Sequence, residues 1–270
     1  KGEFLLKNPT STNLESAKSL IREFAKWSKE LGPAVAGIQL GNENDYYVRG
    51  AGTVKFGSGA WDEVNLSAQD YHRFMNDLAG IYKGIDNTHP VFLGHGQLAS
   101  WQTALLKGNL TNYDGIAINV YPNWNEGRPA KRVMPVSELE NYFMSQVNIA
   151  SELGKPLVIG EFGESSYGRL GDKGQSQFAR NVTEALIKFT PGAIVGVFWH
   201  EYLPEYWKDG EIHPSESGLS LFENGKIKPA FVELSKGYQM MAKAAGMPVT
   251  LTTQIPKESS EKPVKSEASS

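Results

Sequence analysis

The chain has 270 residues, of which 40% are hydrophobic and 21% are charged, so it can bury a sizeable core as one large α/β domain or two small ones. A net charge of −3 gives no reason to expect nucleic acid or an anionic membrane surface as a partner, and no apolar run approaches the roughly 20 residues that span a bilayer. The lack of cysteine excludes disulfide bonds, thiolate metal sites and a cysteine nucleophile.

Helical and strand-like patterns alternate along the chain. In order, the sequence predicts a helix over 13–31, a strand over 35–41, a helix over 68–85, a strand over 90–96, a short helical segment over 98–108, a strand over 114–122, a helix over 138–153, a strand over 156–161, a helix over 174–189, a strand over 193–200 and a helix over 229–244. Residues 248–270 are rich in Ser, Lys, Glu and Pro. This composition predicts a disordered polar tail or linker after a domain that covers 1–247.

The alternation of helices with nearly continuous apolar strands favours a parallel sheet covered by helices. Two architectures have this pattern, an open doubly wound sheet and a (β/α)₈ TIM barrel. A glycine-rich phosphate loop between a strand and a helix would favour the open sheet, and none is present at such a place. The pattern therefore favours the barrel.

Polar residues follow the predicted strands where the active sites of parallel barrels collect. In chain order these residues are Asn42, Glu43, His95, Asn119, Tyr121, Glu161, Trp199 and His200. Amides and carboxylates hydrogen-bond to hydroxyl groups, and an aromatic face packs on the apolar face of a sugar ring. This set indicates a neutral, polyhydroxylated ligand, since a phosphate would favour Arg, Lys or helix N-termini.

Two carboxylic acids on facing strands allow glycosidic bonds to be cleaved. One must be protonated to donate to the leaving oxygen, and the other must be ionised to attack the anomeric carbon. Like charges in proximity separate the two proton affinities, which creates the asymmetry that the reaction needs. We therefore expect Glu43 and Glu161 to face each other across a sugar.

Several stretches resemble glycoside hydrolases of clan A, the 4/7 superfamily of (β/α)₈ barrels. "GIQLGNEN" resembles the end of that family's strand 4, and "PLVIGEFG" resembles the end of strand 7. "YDGIAINVYP" and "GVFWHEY" resemble strands 6 and 8, and "GLSLFENGKIKPAF" is similar to the close of families 2 and 5. The resemblance is strongest to a family-5-like enzyme.

This resemblance implies a role for each matching residue. Glu43 would be the acid/base, Glu161 the nucleophile, Tyr121 a hydrogen-bond partner of the nucleophile and Trp199 the floor of the subsite for the reacting sugar. We add Asn42 as a contact to a sugar 2-hydroxyl and His200 as a ligand contact. Two positions depart from family 5, which usually has Pro where this chain has Asn44 and often has His where it has Asn119.

The matching stretches correspond to strands 4 to 8 of such a barrel. The chain is thus expected to be the C-terminal portion of an incomplete (β/α)₈ barrel, with strands 1 to 3 supplied by the rest of the protein or by another chain. Since the chain starts at Lys1 without a leader, we expect it to be a fragment or a processed form, and the enzyme to be secreted.

The function predicted from these observations is that of a retaining glycoside hydrolase acting on a β-glucan or β-mannan type polysaccharide, with no cofactor and no metal. Two alternatives remain at this point. One is a metal-dependent barrel enzyme such as a sugar isomerase, with Glu43, Glu161, His95 and His200 as ligands. The other is a non-catalytic carbohydrate-binding protein.

Overall fold

The computed structural model of the chain describes residues 11–43, 68–121, 131–167, 169–190, 192–204 and 216–248. Its helices are α1 Ser11–Leu31, α2 Ala68–Lys83, α3 Thr103–Lys107, α4 Val136–Glu152, α5 Gly171–Leu186 and α6 Pro229–Ala244. Its strands are β1 Ile38–Leu40, β2 Val91–His95, β3 Gly115–Val120, β4 Leu157–Phe162, β5 Ile194–Trp199, β6 Phe222–Glu223 and β7 Lys226–Ile227. Short 3₁₀ helices cover Gly32–Ala34, Ser100–Gln102, Ile187–Phe189 and Glu216–Leu219.

The predicted order of helices and strands is confirmed, with three differences. The first strand is shorter than the predicted 35–41, because residues 35–37 only lead from the 3₁₀ turn Gly32–Ala34 into β1 and the chain turns at Gly41, which has a φ of 76°. The segment 98–108 divides into a 3₁₀ turn and the short helix α3. The predicted tail lies almost wholly outside the described residues, which end at 248.

A hairpin between β6 and β7 was not predicted, although the sequence contains a signal for it. Asn224 and Gly225 form its two-residue turn with φ angles of 50° and 77°. Asn-Gly is the commonest pair in such turns, because both central residues need a positive φ and both tolerate it. The flanking Phe222 and Ile227 pair across the hairpin.

Five strands form one parallel sheet in the order β1-β2-β3-β4-β5. The spatial order follows the chain order without reversal, as in a (β/α)₈ barrel, whereas a doubly wound sheet reverses its order at a switch point. Ladders such as Leu40↔Leu93 and Ile116↔Leu157 bring the carboxyl ends of neighbouring strands to the same edge. Among the described strands, β1 and β5 are the two open edges of this sheet.

The hydrophobic core lies between the sheet and the helices. It includes Ile116, Ile118, Leu157 and Ile159 from the strands and Leu139, Phe143, Phe178 and Val182 from α4 and α5, all of which are at most 1% exposed. Burying a side chain of this kind contributes roughly 1.5–3 kcal/mol each. The edge strand β5 differs, because its Val195 and Phe198 are 54% and 56% exposed.

A buried polar cluster closes the opposite end of the sheet, where α1 and α2 end and β2 begins. The carboxylate of Asp86 is fully buried and accepts hydrogen bonds from Ser28 Oγ, Tyr82 Oη and Thr88 Oγ1 at 2.7–2.9 Å. His89 Nδ1 lies 2.6 Å from Asp86 Oδ2, and His89 Nε2 lies 2.8 Å from the carbonyl oxygen of Gly32. The cluster joins α1 to α2 through side-chain hydrogen bonds, in addition to the packing of Phe24 of α1 against Tyr82 of α2, whose ring centroids are 6.2 Å apart.

No helix in the described part of the chain is both long and apolar enough to cross a membrane.

Candidate active site

The segment after β1 carries two of the predicted site residues, Asn42 and Glu43. It turns sharply, because Gly41 has a φ of 76° and Glu43 has a φ of 48°. The second value is unusual for a residue with a side chain and carries a local strain of order 1–2 kcal/mol. Gly94 on β2 makes room for this turn, since a Cβ at that position would overlap the carbonyl oxygen of Gly41.

Asn119, near the end of β3, connects the turn to the centre of the sheet edge. Its Nδ2 donates to Asn42 Oδ1 at 3.0 Å and to Glu43 Oε1 at 3.2 Å. The same residue is the register partner of Glu161 on β4. Asn119 therefore hydrogen-bonds to one predicted catalytic carboxylate and is the lateral neighbour of the residue that carries the other.

Glu161 lies on β4 where the ladder with β3 shifts register between Ile118 and Asn119. Its carboxylate is half-buried, and its Oε2 accepts a 2.8 Å hydrogen bond from Tyr121 Oη. A hydroxyl that donates to a carboxylate fixes the orientation of that carboxylate. This is the contact that the sequence resemblance implied for Tyr121.

His200 supplies the aromatic ring beside this pair. Its imidazole meets the Tyr121 ring edge-on, with ring centroids 6.4 Å apart, and its Nε2 lies 3.8 Å from Oε2 of the buried Glu201. The structure thus brings together Asn42, Glu43, Asn119, Tyr121, Glu161 and His200 at one end of the sheet.

Trp199, the last residue of β5, makes contacts on the side of the helices. Its indole packs against Phe162, with centroids 5.2 Å apart, and against Phe178 of the outer helix α5, at 6.3 Å. Its Nε1 donates to the carbonyl oxygen of Leu219 at 2.8 Å. Neighbouring residues of a strand point to opposite faces. Trp199 accordingly lies on the side of the helices, and His200 lies on the side of Tyr121. The expectation that Trp199 forms the subsite floor stays a prediction.

His95 also lies on the helix side, together with Leu93 of the same strand. Its ring is stacked on His72 of α2, with centroids 6.1 Å apart and an interplanar angle of 12°. Burial, and then the neighbouring His95, lowers the pKa of His72 to about 4, so this residue is neutral at pH 7. His95 is therefore part of the packing of α2 on β2, away from Glu43 and Glu161.

Across the described ranges, no group of three or more His, Cys, Asp or Glu side chains is arranged to hold a metal ion. The position of His95 also removes one of the four ligands that the metal-dependent alternative required.

A buried polar network supports the loop that follows Glu161. Gln175 of α5 is fully buried, and its Nε2 donates to the carbonyl oxygens of Glu164 and Gly218, both at 2.9 Å. Lys228 Nζ reaches Ser166 Oγ at 2.9 Å and Ser220 Oγ at 3.1 Å. These bonds join the loop after β4 to the segment 216–221 and thereby support the carboxyl ends of β4 and β5.

Asn119 is the residue of the candidate site that the sequence prediction undervalued. It stood among the polar residues at the strand ends, but it was absent from the assigned site, because a single amide on a strand gives no direction for its side chain. The signal that could have singled it out was its position in "NVY", where the resembling family often has His before the Tyr.

No protein family model and no curated protein matches the chain. Solved structures do match it in fold. A variant of a family 5 glycoside hydrolase from Streptomyces cattleya, in complex with Manβ1-4GlcNAc, superposes with a TM-score of 0.63 and 15% identity, over 90% of this chain and 57% of that one. A family 5 mannosidase from Rhizomucor miehei gives 0.61 and 11%, over 87% and 59%. A β-D-glucuronidase from Dictyoglomus thermophilum gives 0.59 and 15%, over 88% and 36%.

These structures are glycoside hydrolases of clan A, so the chain is similar in fold to the (β/α)₈ barrels of that clan. At 11–15% identity the similarity concerns the fold and not the chemistry. The chain covers from about a third to about three fifths of the length of the three structures.

Proposed function

We propose that the chain is the C-terminal part of a retaining β-glycosidase in which Glu43 is the acid/base and Glu161 the nucleophile. The observation that carries this proposal is that Asn119 bonds to Glu43 and stands beside Glu161 in the strand register, while Tyr121 bonds to Glu161. Two carboxylates on one edge, with different hydrogen-bond donors, suit the two different roles that glycoside cleavage requires.

The reaction would follow a double displacement. Glu161 attacks the anomeric carbon while the proton of Glu43 passes to the leaving oxygen, and a covalent glycosyl intermediate forms. Glu43 then removes a proton from water, which attacks the same carbon and releases Glu161. The hydroxyl of Tyr121 orients the Glu161 carboxylate before the attack.

The substrate we propose is a β-glucan or β-mannan type polysaccharide. The groups next to the two carboxylates, Asn42, Asn119 and Tyr121, are uncharged hydrogen-bonding groups, which suit sugar hydroxyls better than an acidic or phosphorylated sugar. The mannosidase and the complex with Manβ1-4GlcNAc among the structural neighbours support the mannan side of this proposal. Because a polysaccharide of this kind lies outside the cell, we extend the proposal to a secreted enzyme, which fractionation of cells and medium tests.

The remaining strands of the barrel would come from the rest of the protein or from another chain. Two features support this part of the proposal. The described sheet ends in open edges at β1 and β5, and the apolar Val195 and Phe198 of β5 are more than half exposed. An apolar edge strand of this kind is normally covered in a native protein.

The experiment uses the full-length protein and aryl β-glucosides and β-mannosides. Glu161→Gln should abolish turnover, and azide should rescue Glu161→Gly by forming a glycosyl azide of inverted configuration. The first product of the wild-type enzyme, observed by NMR before mutarotation, should keep the β configuration. Glu152→Gln, a change to an exposed carboxylate at the end of α4, is the matched control. Full activity of Glu161→Gln would remove this assignment.

The non-catalytic alternative has its own outcome in the same experiments. Oligosaccharide binding in a calorimeter, with no product from any substrate tested, would favour a carbohydrate-binding protein over an enzyme.

A further inference from the structure

Three amide side chains form a continuous hydrogen-bonded chain that ends on Glu43. We call Gln39, Asn42 and Asn119 the amide relay. Gln39 Nε2 donates to the carbonyl oxygen of Gly41 at 3.1 Å and approaches Asn42 Oδ1 at 3.4 Å. Asn42 Oδ1 also accepts from Asn119 Nδ2, which in turn donates to Glu43 Oε1. The relay therefore connects β1, the turn after it, and β3.

The direction of every bond in the relay is fixed by its two ends. A backbone carbonyl and a carboxylate only accept hydrogen bonds, so the NH₂ groups of Gln39 and Asn119 must face them. Asn42 must then turn its oxygen to both neighbours. This removes the ambiguity between oxygen and nitrogen that single amides usually leave.

The relay fits only because β4 has a glycine at position 160. A Cβ at Gly160 would lie 2.7 Å from Gln39 Oε1 and 3.3 Å from Asn119 Oδ1. Both distances are shorter than ordinary contacts, so a larger residue would displace one of the two amides. Asn119 is 3% exposed, and its donor to Glu43 is thus shielded from competition with bulk water.

We propose that Asn119 is the positioning residue of Glu43, and that Gln39 and Gly160 hold Asn119 in place. Asn119 fixes one carboxyl oxygen of Glu43 by its hydrogen bond to Oε1. Unlike the His that the resembling enzymes often carry at this position, Asn119 stays neutral at every pH. The proposal rests on the acid/base role of Glu43, and it adds a residue that acts through the carboxyl group of Glu43.

The first test compares two leaving groups in the full-length enzyme with Asn119→Ala. A phenyl glycoside needs a proton from the acid to leave, whereas a dinitrophenyl glycoside does not. We expect kcat/KM to fall about 30- to 100-fold for the phenyl substrate, less than the roughly 10²- to 10⁴-fold of general acid catalysis as a whole because Glu43 itself remains, and less than about 3-fold for the dinitrophenyl substrate. An equal fall with both substrates would overturn the positioning role and leave the glycosidase intact.

Asn119→Asp is the second variant, because it keeps the shape of the side chain and removes the donor. A new carboxylate beside Glu43 makes its proton harder to lose, so the alkaline limb of the kcat/KM profile should move to higher pH by about one unit. An unchanged pH profile of kcat/KM would contradict the proposal, because no shift of the profile is expected if Asn119 has only a structural role.

Gly160→Ala tests the support from β4. The clash falls on the flexible end of Gln39, so thermal stability should change little, whereas the preference for dinitrophenyl over phenyl substrate should rise as it does in Asn119→Ala. The matched control is Gly108→Ala, because a Cβ there would meet nothing within 4 Å. A Gly160→Ala enzyme with wild-type leaving-group dependence would show that the relay has no such function.

A measurement without turnover separates this proposal from the proposed function. The ¹³C signal of the Glu43 carboxyl, assigned by its loss in Glu43→Gln, should titrate at higher pH in Asn119→Ala, since a donor to the ionised form is gone. A midpoint that stays in place refutes the relay. Activity that survives in Glu161→Gln refutes the glycosidase and leaves this titration unaffected.

Discussion

The phenolic oxygen of Tyr121 lies 2.8 Å from Oε2 of Glu161, and the Tyr121 ring stands nearly perpendicular to the His200 ring, with centroids 6.4 Å apart. Tyr121 therefore has two functions at once, because it donates to the proposed nucleophile and also presents a surface on which His200 rests. The residue connects the carboxyl ends of β3, β4 and β5.

Tyr121→Phe removes the hydroxyl and keeps the ring. We expect kcat/KM for an aryl β-glycoside to fall about 10- to 100-fold, because a charge-assisted hydrogen bond contributes roughly 1.5–3 kcal/mol. The matched control is Tyr113→Phe, whose buried hydroxyl donates to the carbonyl oxygen of Met75 at 2.9 Å. That control should lose about 1–3 kcal/mol of stability and keep its rate constants. Equal rate losses in both variants would deny a special role to Tyr121.

Gly94→Ala tests how the turn that carries Glu43 is placed. The new Cβ would overlap the backbone carbonyl oxygen of Gly41, and backbone cannot move aside as a flexible side chain can. We expect a loss of about 1–3 kcal/mol in the free energy of unfolding, measured with denaturant, together with a large fall in activity. A Gly94→Ala enzyme with wild-type stability and rate would show that the turn does not need this close approach.

Trp199 and His200 are adjacent, yet they should respond differently to substitution. Trp199→Phe loses the hydrogen bond to Leu219 and part of the contact with Phe178, so the melting temperature should fall while KM changes little. His200→Ala should raise KM with a smaller change in melting temperature, because the ring faces Tyr121 at the site. The reverse pattern would support the assignment of Trp199 to the subsite floor.

The Asp86–His89 pair predicts how stability depends on pH. The hydrogen bond of His89 to Asp86, and then its hydrogen bond to Gly32, raises the pKa of His89 above its ordinary value of 6.5. Burial alone would raise the pKa of Asp86, but hydrogen bonds from Thr88, His89 and Ser28 hold it well below its ordinary value of 3.8.

The signs of these two pKa shifts define the pH range in which the pair stabilises the fold. The contribution of His89 to the stability of the fold is fully present below pH 6.5. It is lost as the pH rises through the higher folded-state pKa of His89. The contribution of Asp86 to stability is fully present above pH 3.8. It is lost as the pH falls toward the lower folded-state pKa of Asp86. The difference in melting temperature between wild type and His89→Gln should thus be largest between these values and shrink above pH 6.5. A difference that grows with rising pH would contradict the charged state of His89.

The fold and the site were predictable from the sequence to different extents. The apolar runs that end in "GNEN" and "GEFGE" gave the position of Glu43 and Glu161 along the chain, because parallel strands bring such ends to one edge. The pattern could not show on which face of β5 the indole of Trp199 lies. The pairing of β4 with β3 and β5 contains register shifts, between Ile118 and Asn119 and between Ile159 and Phe162, and each shift changes the side that later residues face.

Asn119 shows a second limit of sequence reasoning. Its proposed role depends on the turn after β1 with a positive φ at Glu43 and on the space left by Gly94 and Gly160, two glycines on other strands. None of these conditions is local to Asn119, so its bonds to Asn42 and Glu43 form only when strands β1 to β4 are assembled.

The central claim is that Glu43 and Glu161 act on one sugar, and a crystal structure of the full-length protein treated with a 2-deoxy-2-fluoro β-glycoside tests it most directly. The account predicts a covalent bond from the anomeric carbon to Glu161, with the carboxyl group of Glu43 about 5–5.5 Å from that of Glu161. A sugar bound to a different residue, or a separation of well over about 10 Å between the two carboxyl groups, would contradict it.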